Sequence, residues 1–355
     1  MSVDYKRELG ALIELVIQEK ASDIHLSVGS HPLIRVSGTL IPLVKKPILT
    51  DSDVAAFIKI LMREDQFTHY LGYNEIDFSF ENTSGVRFRG NAFHQRGKMG
   101  IALRLIPNVI RTYEELKLPP ILESFTQRSQ GFFLCVGPVG QGKSTTLAAM
   151  VNTINKTRAE HIVTIEDPIE YVYQEEKSLI DQREIGIDSK NFETALNAAF
   201  RQDVDVILVG EMRNPETIAA AVTAAETGHL VYSTLHTNDA AQTISRIVDS
   251  FPGDQQGQIR VQLAGSLIAI FSQRLIPHIA GGLVPAYELL INNTAVSNLI
   301  RDNRIHEIPS VIETGLDQGM IDMNRSLARL VQNGDITVES AFTYAVNPKG
   351  LERLI

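Results

Sequence analysis

A glycine-rich stretch near the middle of the chain constrains the fold more than any other feature. Residues 137–144 read GPVGQGKS and match the phosphate-loop pattern G-x-x-x-x-G-K-[ST]. The apolar run 131–136 before it predicts a buried strand, and residues 145–152 after it predict a helix. In that context, backbone N–H groups and a helix N-terminus surround phosphate oxygens. The sequence therefore predicts a nucleotide site in an α/β fold.

The residues of this loop have separate expected tasks. Lys143 is expected to reach the β- and γ-phosphates, and the Ser144 hydroxyl is expected to bind Mg²⁺. ATP or ADP with Mg²⁺ is thus the expected ligand. The other predicted nucleotide-binding residues are Gly137, Pro138, Val139, Gly140, Gln141, Gly142 and Thr145.

Composition limits the class of protein. The chain has 355 residues, of which 44% are hydrophobic, enough for two or three domains with full cores. Its net charge of −9 argues against a nucleic-acid motor, which usually carries a basic surface. No apolar run reaches the length of a membrane-spanning helix, and Glu14 interrupts the N-terminal apolar run, which argues against a secretory signal. The single cysteine, Cys135, excludes an internal disulfide and is expected to be buried.

The two halves of the sequence differ in pattern. Residues 1–106 predict a small α+β domain, residues 107–120 a linker bounded by prolines, and residues 121–355 the nucleotide-binding domain with a mainly helical tail from about residue 255. In the first domain, helices are expected near 4–19 and 51–63, and strands near 23–27, 33–36, 76–80, 86–89 and 100–106.

Four short apolar runs in the second domain alternate with helical stretches, which is typical of a parallel sheet covered by helices. They are 132–136, 161–166, 204–209 and 230–235. Ligands bind at the carboxyl ends of the strands in such sheets. The first run leads into the phosphate loop, and the other three are followed by Glu170, Glu211 and His236, respectively. We therefore expect these residues to gather around the phosphates.

Glu211 and Glu170 are the carboxylates expected to act in hydrolysis. Glu211 follows an apolar strand, where the acid that helps to hold Mg²⁺ belongs, and Gly210 stands where an aspartate is usual. Glu211 is therefore expected to take that task alone. Glu170 is expected to orient the attacking water. Glu166 and Asp167 compete for this role, although their nearness to a proline fits a turn equally well.

Two histidines flank the last of these strands. Seven residues separate His229 from His236, about 23 Å of extended chain, so both cannot contact one phosphate. His236 follows the strand and is the candidate sensor of the γ-phosphate or of water, with a structural role as the alternative. His229 is expected to support packing or a subunit contact.

The first domain carries four arginines that are candidates for a functional role: Arg87, Arg89, Arg96 and Arg104. Arg87 and Arg89 share one face of an alternating strand. A solvated face is the simpler interpretation. The alternative is an arginine finger that reaches the nucleotide of a neighbouring subunit and raises the rate about 10³–10⁵-fold.

Five segments together resemble the secretion-type ATPases, and most of all the PilT or twitching-motility family of type IV pilus retraction motors. The resemblance covers nearly the whole chain. Two segments are similar to the opening domain of the family, and three match its acidic box, its Walker B motif and its histidine box. They are, in order, 21–26 (ASDIHL), 34–38 (IRVSG), 164–171 (TIEDPIEY), 208–213 (LVGEMR) and 224–237.

The resemblance implies a PAS-like N-terminal domain joined to a RecA-like ATPase domain. It also implies a homo-hexameric ring with ATP bound between subunits, in which Glu170 and Glu211 are catalytic acids and Arg104 faces the nucleotide. The implied activity is ATP hydrolysis that powers pilus retraction at the cytoplasmic face of the inner membrane. The implied partners are an inner-membrane platform protein and a paralogous retraction ATPase.

The sequence departs from the family pattern at three residues. The phosphate loop has Val139 and Gln141 where Thr and Ser are usual, and Ser297 replaces the arginine of an A-I-R type motif. Three alternatives remain: an extension or type II secretion ATPase, a non-hydrolysing ATP-binding accessory subunit, and a DNA translocase. The lone cysteine counts against the extension or secretion ATPase. The intact Lys143, Glu170 and Glu211 count against the accessory subunit, and the acidic net charge counts against the translocase.

Overall fold

The chain divides into two units, Met1–Asn108 (unit 1) and Val109–Ile355 (unit 2), in a computed structural model that describes residues 4–36, 38–107 and 109–355. Ser37 of the predicted motif 34–38 and Asn108 of the predicted linker lie outside the described residues. Within these ranges, no helix has both the length and the apolar character that crossing a bilayer requires.

Unit 1 is built on an antiparallel sheet whose strand order is β3-β2-β1-β6-β5-β4. Its core contains the helix residues Val16 and Phe57 and the strand residues Ile24, Phe88 and Leu103. The strands are β1 Asp23–Ser27, β2 Leu33–Val36, β3 Thr39–Pro42, β4 Glu75–Glu81, β5 Arg87–Gln95 and β6 Lys98–Leu105, and the helices are α1 Tyr5–Gln18, α2 Asp51–Leu61 and α3 Glu64–Tyr73.

The start of α2 follows directly from its sequence. The Thr50 side chain accepts a hydrogen bond from the backbone N–H of Asp53, and the Asp53 carboxylate accepts one from the backbone N–H of Thr50 at 2.7 Å. This reciprocal capping satisfies N–H groups that a helix start otherwise leaves open. The predicted helix start is confirmed, whereas the helix ends at Leu61 and a separate helix, α3, follows it.

Unit 2 contains a second sheet, with the strand order β13-β12-β7-β11-β10-β8-β9. Its strands are β7 Gly131–Val136, β8 His161–Glu166, β9 Leu179–Glu184, β10 Val206–Val209, β11 Leu230–Leu235, β12 Leu267–Pro277 and β13 Leu283–Ile291. Its helices are α4 Ile121–Thr126, α5 Lys143–Thr157, α6 Phe192–Ala199, α7 Pro215–Glu226, α8 Ala240–Asp249, α9 Gly253–Ser266, α10 Thr294–Arg301, α11 Ile308–Thr314, α12 Met323–Gln332, α13 Val338–Tyr344 and α14 Pro348–Glu352.

The four predicted strands are β7, β11, β10 and β8, and they lie side by side and parallel. Side chains of β7 alternate between two cores, with Phe132 and Leu134 in one and Phe133 and Cys135 in the other. Burial raises the pKa of the Cys135 thiol to about 12, so the cysteine behaves as an apolar residue. The predicted α/β class with an α+β N-terminal unit is confirmed.

The prediction of a mainly helical tail is wrong between residues 267 and 291. Here β12 and β13 form an antiparallel pair, and β12 also pairs in parallel with β7. The run LIAIF at the start of β12 is apolar on both faces, and a short run of that kind does not distinguish a buried strand from a buried helix. Strand β9 was also missed, because it is a half-exposed edge strand rich in polar residues.

Most of the predicted linker 107–120 packs onto unit 2. Tyr113 and Leu118 are buried in the same core cluster as Phe133 and Met150. Burial of their apolar side chains stabilises this packing, so the segment is anchored rather than free. The linker bounds stay a prediction.

Candidate nucleotide-binding site

Glycine is required at several positions of the phosphate loop. Gly137, Gly140 and Gly142 have φ values of 145°, 77° and 78°, in the region that other residues rarely adopt. A Cβ atom on Gly137 would lie 2.5 Å from the carbonyl oxygen of Gln273, and one on Gly142 would lie 2.9 Å from its Nε2 atom. The loop thus closes tightly against β12, and α5 begins within the motif, at Lys143.

Lys143 is buried at the centre of the site. Its Nζ atom donates hydrogen bonds to the carbonyl oxygens of Gly137 at 2.8 Å and Pro138 at 2.9 Å, and it lies 3.2 Å from Nδ1 of His236. Burial lowers the pKa of Lys143, while the nearby charges of Glu170 and Glu211 raise it in part. The ammonium group is therefore held on the loop, and the charges of Glu170 and Glu211 favour its protonated form.

His236 links Lys143 to Glu211. Burial, and next the charge of Lys143, lower the pKa of His236, so the neutral ring accepts a hydrogen bond from the ammonium through Nδ1. The opposite ring nitrogen, Nε2, then carries the proton and faces Oε2 of Glu211 at 3.9 Å. Glu211 also forms an ion pair with Arg213. These contacts bring together three residues that follow three different strands.

Glu170 and Glu166 have different surroundings. The Glu170 side chain is exposed, whereas Glu166 is only 7% exposed. Glu166 accepts hydrogen bonds from Thr164 Oγ1 at 2.7 Å and from the backbone N–H of Glu170 at 3.1 Å. Burial raises the pKa of Glu166 to about 7. Glu166 therefore supports the backbone beneath Glu170, and Asp167 is exposed beside it.

The rest of the loop varies in exposure. Val139 is 79% exposed, while Thr145 and Ser144 on the first turn of α5 are half-buried. The Thr145 hydroxyl is hydrogen-bonded to the Tyr171 hydroxyl at 2.7 Å, which ties α5 to the residue after Glu170. Each of these predicted loop residues lies at the carboxyl-terminal edge of the sheet.

The donor set suits Mg²⁺ better than a metal held by protein alone. The described ranges contain no group of three or more His, Cys, Asp or Glu residues that could hold a metal ion. Mg²⁺ in nucleotide sites usually takes one or two protein oxygens and otherwise phosphate and water oxygens. Ser144 and Glu211 supply oxygen donors of that kind, so the residues fit the ion.

In unit 1, Arg104 is oriented by a buried carboxylate. Its Nε donates to Oδ1 of Asp23 at 2.9 Å, while its side chain is 71% exposed. Ser22 donates to the other oxygen of Asp23 at 2.7 Å, and Arg35 lies 3.7 Å from it. Burial, the largest effect, would raise the pKa of Asp23, but hydrogen bonds from Ser22 and Arg104 hold it below the usual value.

The other arginines of unit 1 take different positions. Arg89 lies directly opposite Arg104 in the β5–β6 ladder and is exposed. Arg87 shares its face and contacts Glu81 at 3.8 Å. Arg96 lies in the tight turn between β5 and β6. We call Asp23, Arg35, Arg89 and Arg104, which are aligned across the strands, the arginine face.

His229 lies at the opposite end of β11 from His236. Its Nδ1 is 3.0 Å from the carbonyl oxygen of Ala224, and its ring packs edge-on against Phe200 at 5.6 Å. These contacts give His229 a packing role at the far end of the strand.

Strand β12 supplies contacts that sequence reasoning missed. Gln273 bonds to the phosphate loop and to Thr146, and Arg274 donates to Oδ1 of Asn238, two residues after His236, at 2.8 Å. Ser272 donates to the carbonyl oxygen of Asn238 at 2.7 Å. No signal in the sequence identified these residues, because the segment was interpreted as helical.

Comparison with known proteins places the chain among secretion and pilus proteins. A family model described as "Type II/IV secretion system protein" matches residues 4–303. The chain is 47% identical over 321 residues to a "Twitching motility protein" of Neisseria gonorrhoeae, which covers 90% of this chain and 86% of the relative. It is 43% identical over 342 residues to the "Type IV pilus retractation ATPase PilT" of Pseudomonas aeruginosa, covering 96% of this chain and 99% of the relative.

Solved structures agree with the sequence relatives. The structure titled "Crystal Structure of the Pilus Retraction Motor PilT and Bound ADP" superposes with a TM-score of 0.90 at 46% identity, and covers 96% of this chain and 98% of that one. By contrast, a "Type II secretion system protein E" of Pectobacterium carotovorum is 33% identical, over 76% of this chain and 54% of the relative. The similarity to retraction motors is thus higher and extends over more of both chains.

Proposed function

The chain belongs to the Type II/IV secretion system protein family, and on that premise we propose that it is an ATP-hydrolysing motor that powers pilus retraction. The resemblance to secretion-type ATPases predicted from sequence motifs is confirmed by this membership and by the two pilus relatives. Their identity and coverage favour the retraction motor over a pilus extension or type II secretion ATPase.

One observation carries the proposal. Lys143, His236 and Glu211 follow three different strands and lie in a row, with 3.2 Å between Lys143 Nζ and His236 Nδ1 and 3.9 Å between His236 Nε2 and Glu211 Oε2. A lysine, a neutral histidine and a carboxylate around a glycine loop are the groups that phosphoryl transfer needs. A binding module without hydrolysis has no use for the acid and the histidine.

The loop residues would bind the nucleotide. Backbone N–H groups of Gly140, Gln141 and Gly142 and the N-terminus of α5 would donate to phosphate oxygens. The ammonium group of Lys143 would exchange its contacts with Gly137 and Pro138 for the β- and γ-phosphates. When bound, Mg²⁺ supplies positive charge to the phosphates, and Ser144 and Glu211 are the residues that would hold it.

Glu170 would orient and deprotonate the attacking water. Its carboxylate is exposed, and the charge of this carboxylate raises the pKa of Lys143. The backbone N–H of Glu170 donates a hydrogen bond to Glu166, which fixes its position. The neutral ring of His236 would donate through Nε2 to a phosphate oxygen or to this water once the ammonium moves to the phosphates. The charge that develops in the transition state then meets donors already in position.

The proposal includes a homo-hexamer in which the nucleotide lies between subunits. Arg104 is suited to complete a neighbour's site, because Asp23 fixes it through Nε and its side chain extends into solvent. An arginine that reaches the γ-phosphate neutralises charge in the transition state. A hinge next to the unit boundary would let the two units rotate as rigid bodies during the ATP cycle.

The force would be delivered to a platform protein of the pilus in the inner membrane, with a paralogous retraction ATPase as a second partner. ATP is supplied inside the cell, so the motor would work at the cytoplasmic face of that membrane. The names of two relatives, a twitching motility protein and a pilus retraction ATPase, support a pilus as the machine that receives the force.

Two measurements test the proposed function. Purified protein should release phosphate from ATP, and cells without the gene should assemble pili that fail to retract. Tight ATP binding without phosphate release would instead identify an accessory subunit that only binds ATP. Cells that lose pili altogether would identify an extension motor. Salt-sensitive DNA binding would favour a translocase.

A further inference from the structure

Strand β12 extends past its neighbour at the phosphate loop. It pairs with β7 only from Leu267 to Ser272, because β7 ends at Val136 and the chain turns into the loop. On its other side, β12 continues along β13 to Pro277. The edge of β12 from Gln273 onward therefore faces the loop instead of a strand, and its polar groups need other partners.

Gln141 provides one of these partners. The backbone N–H of Leu275 donates to Oε1 of Gln141 at 2.7 Å, where a strand carbonyl would otherwise accept. A glutamine side chain reaches two carbon atoms farther than a serine side chain. A serine at position 141 would be too short for this contact.

Gln273 makes the reciprocal contact. Its Nε2 donates to the carbonyl oxygen of Gln141 at 2.7 Å, and its Oε1 accepts from the Thr146 hydroxyl at 2.7 Å. Gln273 is 2% exposed and Thr146 is 1% exposed. A buried amide without partners is costly, so both ends of Gln273 are strongly held in this arrangement.

We propose that Gln141 and Gln273 form a clasp that fixes the phosphate loop on β12 and thereby sets how tightly the loop holds nucleotide. This inference rests on the proposed function, because it assigns the two glutamines as positioning residues for the nucleotide of that function. A loop with three glycines at positive φ is ordered only at an entropic cost. Contacts that order it beforehand reduce the cost of binding.

Gln141 does not use its side chain to approach phosphate. Its side-chain oxygen accepts from the backbone N–H of Leu275 on β12. ADP can therefore dissociate in two ways: the clasp opens first, or the nucleotide leaves while the loop stays rigid. We expect ADP to dissociate slowly by either route.

Neutral substitutions test the clasp through ADP binding. Gln273→Met keeps the side-chain volume but removes the hydrogen bonds to the Gln141 carbonyl and to Thr146. Gln141→Ser removes the hydrogen bond with Leu275. Thr146→Val removes only the hydrogen bond between α5 and Gln273. ADP affinity is measured by calorimetry and ADP dissociation by displacement. We expect Gln273→Met to raise the Kd for ADP about 10-fold and Gln141→Ser about 3–5-fold, each with faster ADP release. Thr146→Val should stay within about 2-fold.

A double variant and a control define the mechanism. Gln273→Met with Gln141→Ser should weaken binding by less than the product of the single effects, because both break one clasp. Gln258→Met, on the exposed side of α9, should bind ADP as the parent does. Amide hydrogen exchange of residues 139–142 should be faster in the clasp variants, a change that lower global stability alone would not confine to the loop.

The outcomes separate this inference from the proposed function. If Gln273→Met and Gln141→Ser fold and bind ADP as tightly as the parent, the clasp is overturned while ATP hydrolysis by the parent still stands. If Thr146→Val weakens ADP binding as much as Gln273→Met, Gln273 acts through the packing of α5 and the clasp is also wrong. If the parent binds ADP but releases no phosphate from ATP, the proposed function fails and the clasp remains.

Discussion

In unit 2, the charged groups of the nucleotide site hold one another. Lys143 contacts His236, His236 faces Glu211, and Glu170 is fixed through the backbone by Glu166. On the arginine face of unit 1, by contrast, Arg35 and Arg104 lie against one buried carboxylate, Asp23, and Arg89 lies opposite Arg104 on the next strand. Arg89 and Arg104 are exposed.

The two regions differ in how their charged groups are paired. The nucleotide site contains both cations and acids, which lie against one another. The arginine face, with three arginines and one aspartate, carries more positive than negative charge, a surface suited to an anion that another molecule presents. Variants of the first region should therefore affect an isolated subunit, and variants of the second should affect only an assembly.

Lys143→Ala should have the largest effect and should abolish measurable nucleotide affinity. The variant removes the only ammonium group among the described contacts of the loop, and it also leaves the carbonyl oxygens of Gly137 and Pro138 without their donor. Calorimetry with ADP measures the loss. Lys156→Ala, on the same helix and exposed in an ion pair with Glu176, should bind normally. Retained tight binding in Lys143→Ala would place the nucleotide elsewhere.

Glu170→Gln should lower turnover by about 10²–10⁴-fold with ATP affinity nearly unchanged, because only deprotonation of water is lost. Steady-state kinetics and calorimetry separate the two quantities. Asp167→Asn is the matched comparison, since Asp167 is exposed three residues away and competes for the same role. An equal fall of kcat in Asp167→Asn, or a parallel loss of binding in Glu170→Gln, would assign Glu170 a structural role.

The strands of this region could be predicted from the sequence for a physical reason. The buried parallel strands are mostly apolar, so the polar residues that follow them are visible: Glu211 and His236 come within two residues of the ends of β10 and β11, and Glu170 comes four residues after the end of β8. The glycine pattern fixes the loop locally. None of these inferences required knowledge of contacts between distant segments.

The contacts that position the site could not be predicted in this way. Gln273 bonds to residues 127 and 132 positions away, and Asp23 bonds to Arg104 over 81 positions. Such pairs depend on strand order and register, which a single sequence does not specify. The interpretation of 267–291 as helical removed β12, and with it every contact to Gln141.

Arg104→Ala tests the second half of the comparison and should have a smaller effect. We expect turnover to fall about 10–100-fold in assembled rings, less than for a lone arginine finger, because Arg89 lies opposite and shares the charge. ADP affinity of dissociated subunits should not change. Arg35→Ala, which removes another partner of the same aspartate, should retain turnover. If dissociated parent subunits already hydrolyse ATP at the full rate, no arginine acts between subunits.

The last expected effect is on stability, and its pH dependence has opposite signs in the two regions. The pKa of Glu166 is raised from 4.5 to about 7, so the folded state keeps a proton that the unfolded state releases. Stability from this group is complete below pH 4.5 and is lost as the pH rises through 7, by about 3 kcal/mol at 1.36 kcal/mol per pKa unit. The pKa of Asp23 is lowered, so its contribution is present above its usual pKa and is lost as the pH falls.

Denaturant unfolding at pH 5 and pH 8 measures both signs with two isosteric variants. Glu166→Gln should unfold at nearly the parent's denaturant concentration at pH 5 and should gain on the parent at pH 8, because the amide carries no charge to bury. Asp23→Asn should be less stable than the parent at both values, since the arginines lose their counter-charge. Glu288→Gln provides a check within unit 2, because burial also raises the pKa of Glu288 to about 7. If Glu166→Gln loses rather than gains stability relative to the parent between pH 5 and 8, the buried carboxylate beneath Glu170 is charged and paired, and the contrast between the two regions does not hold.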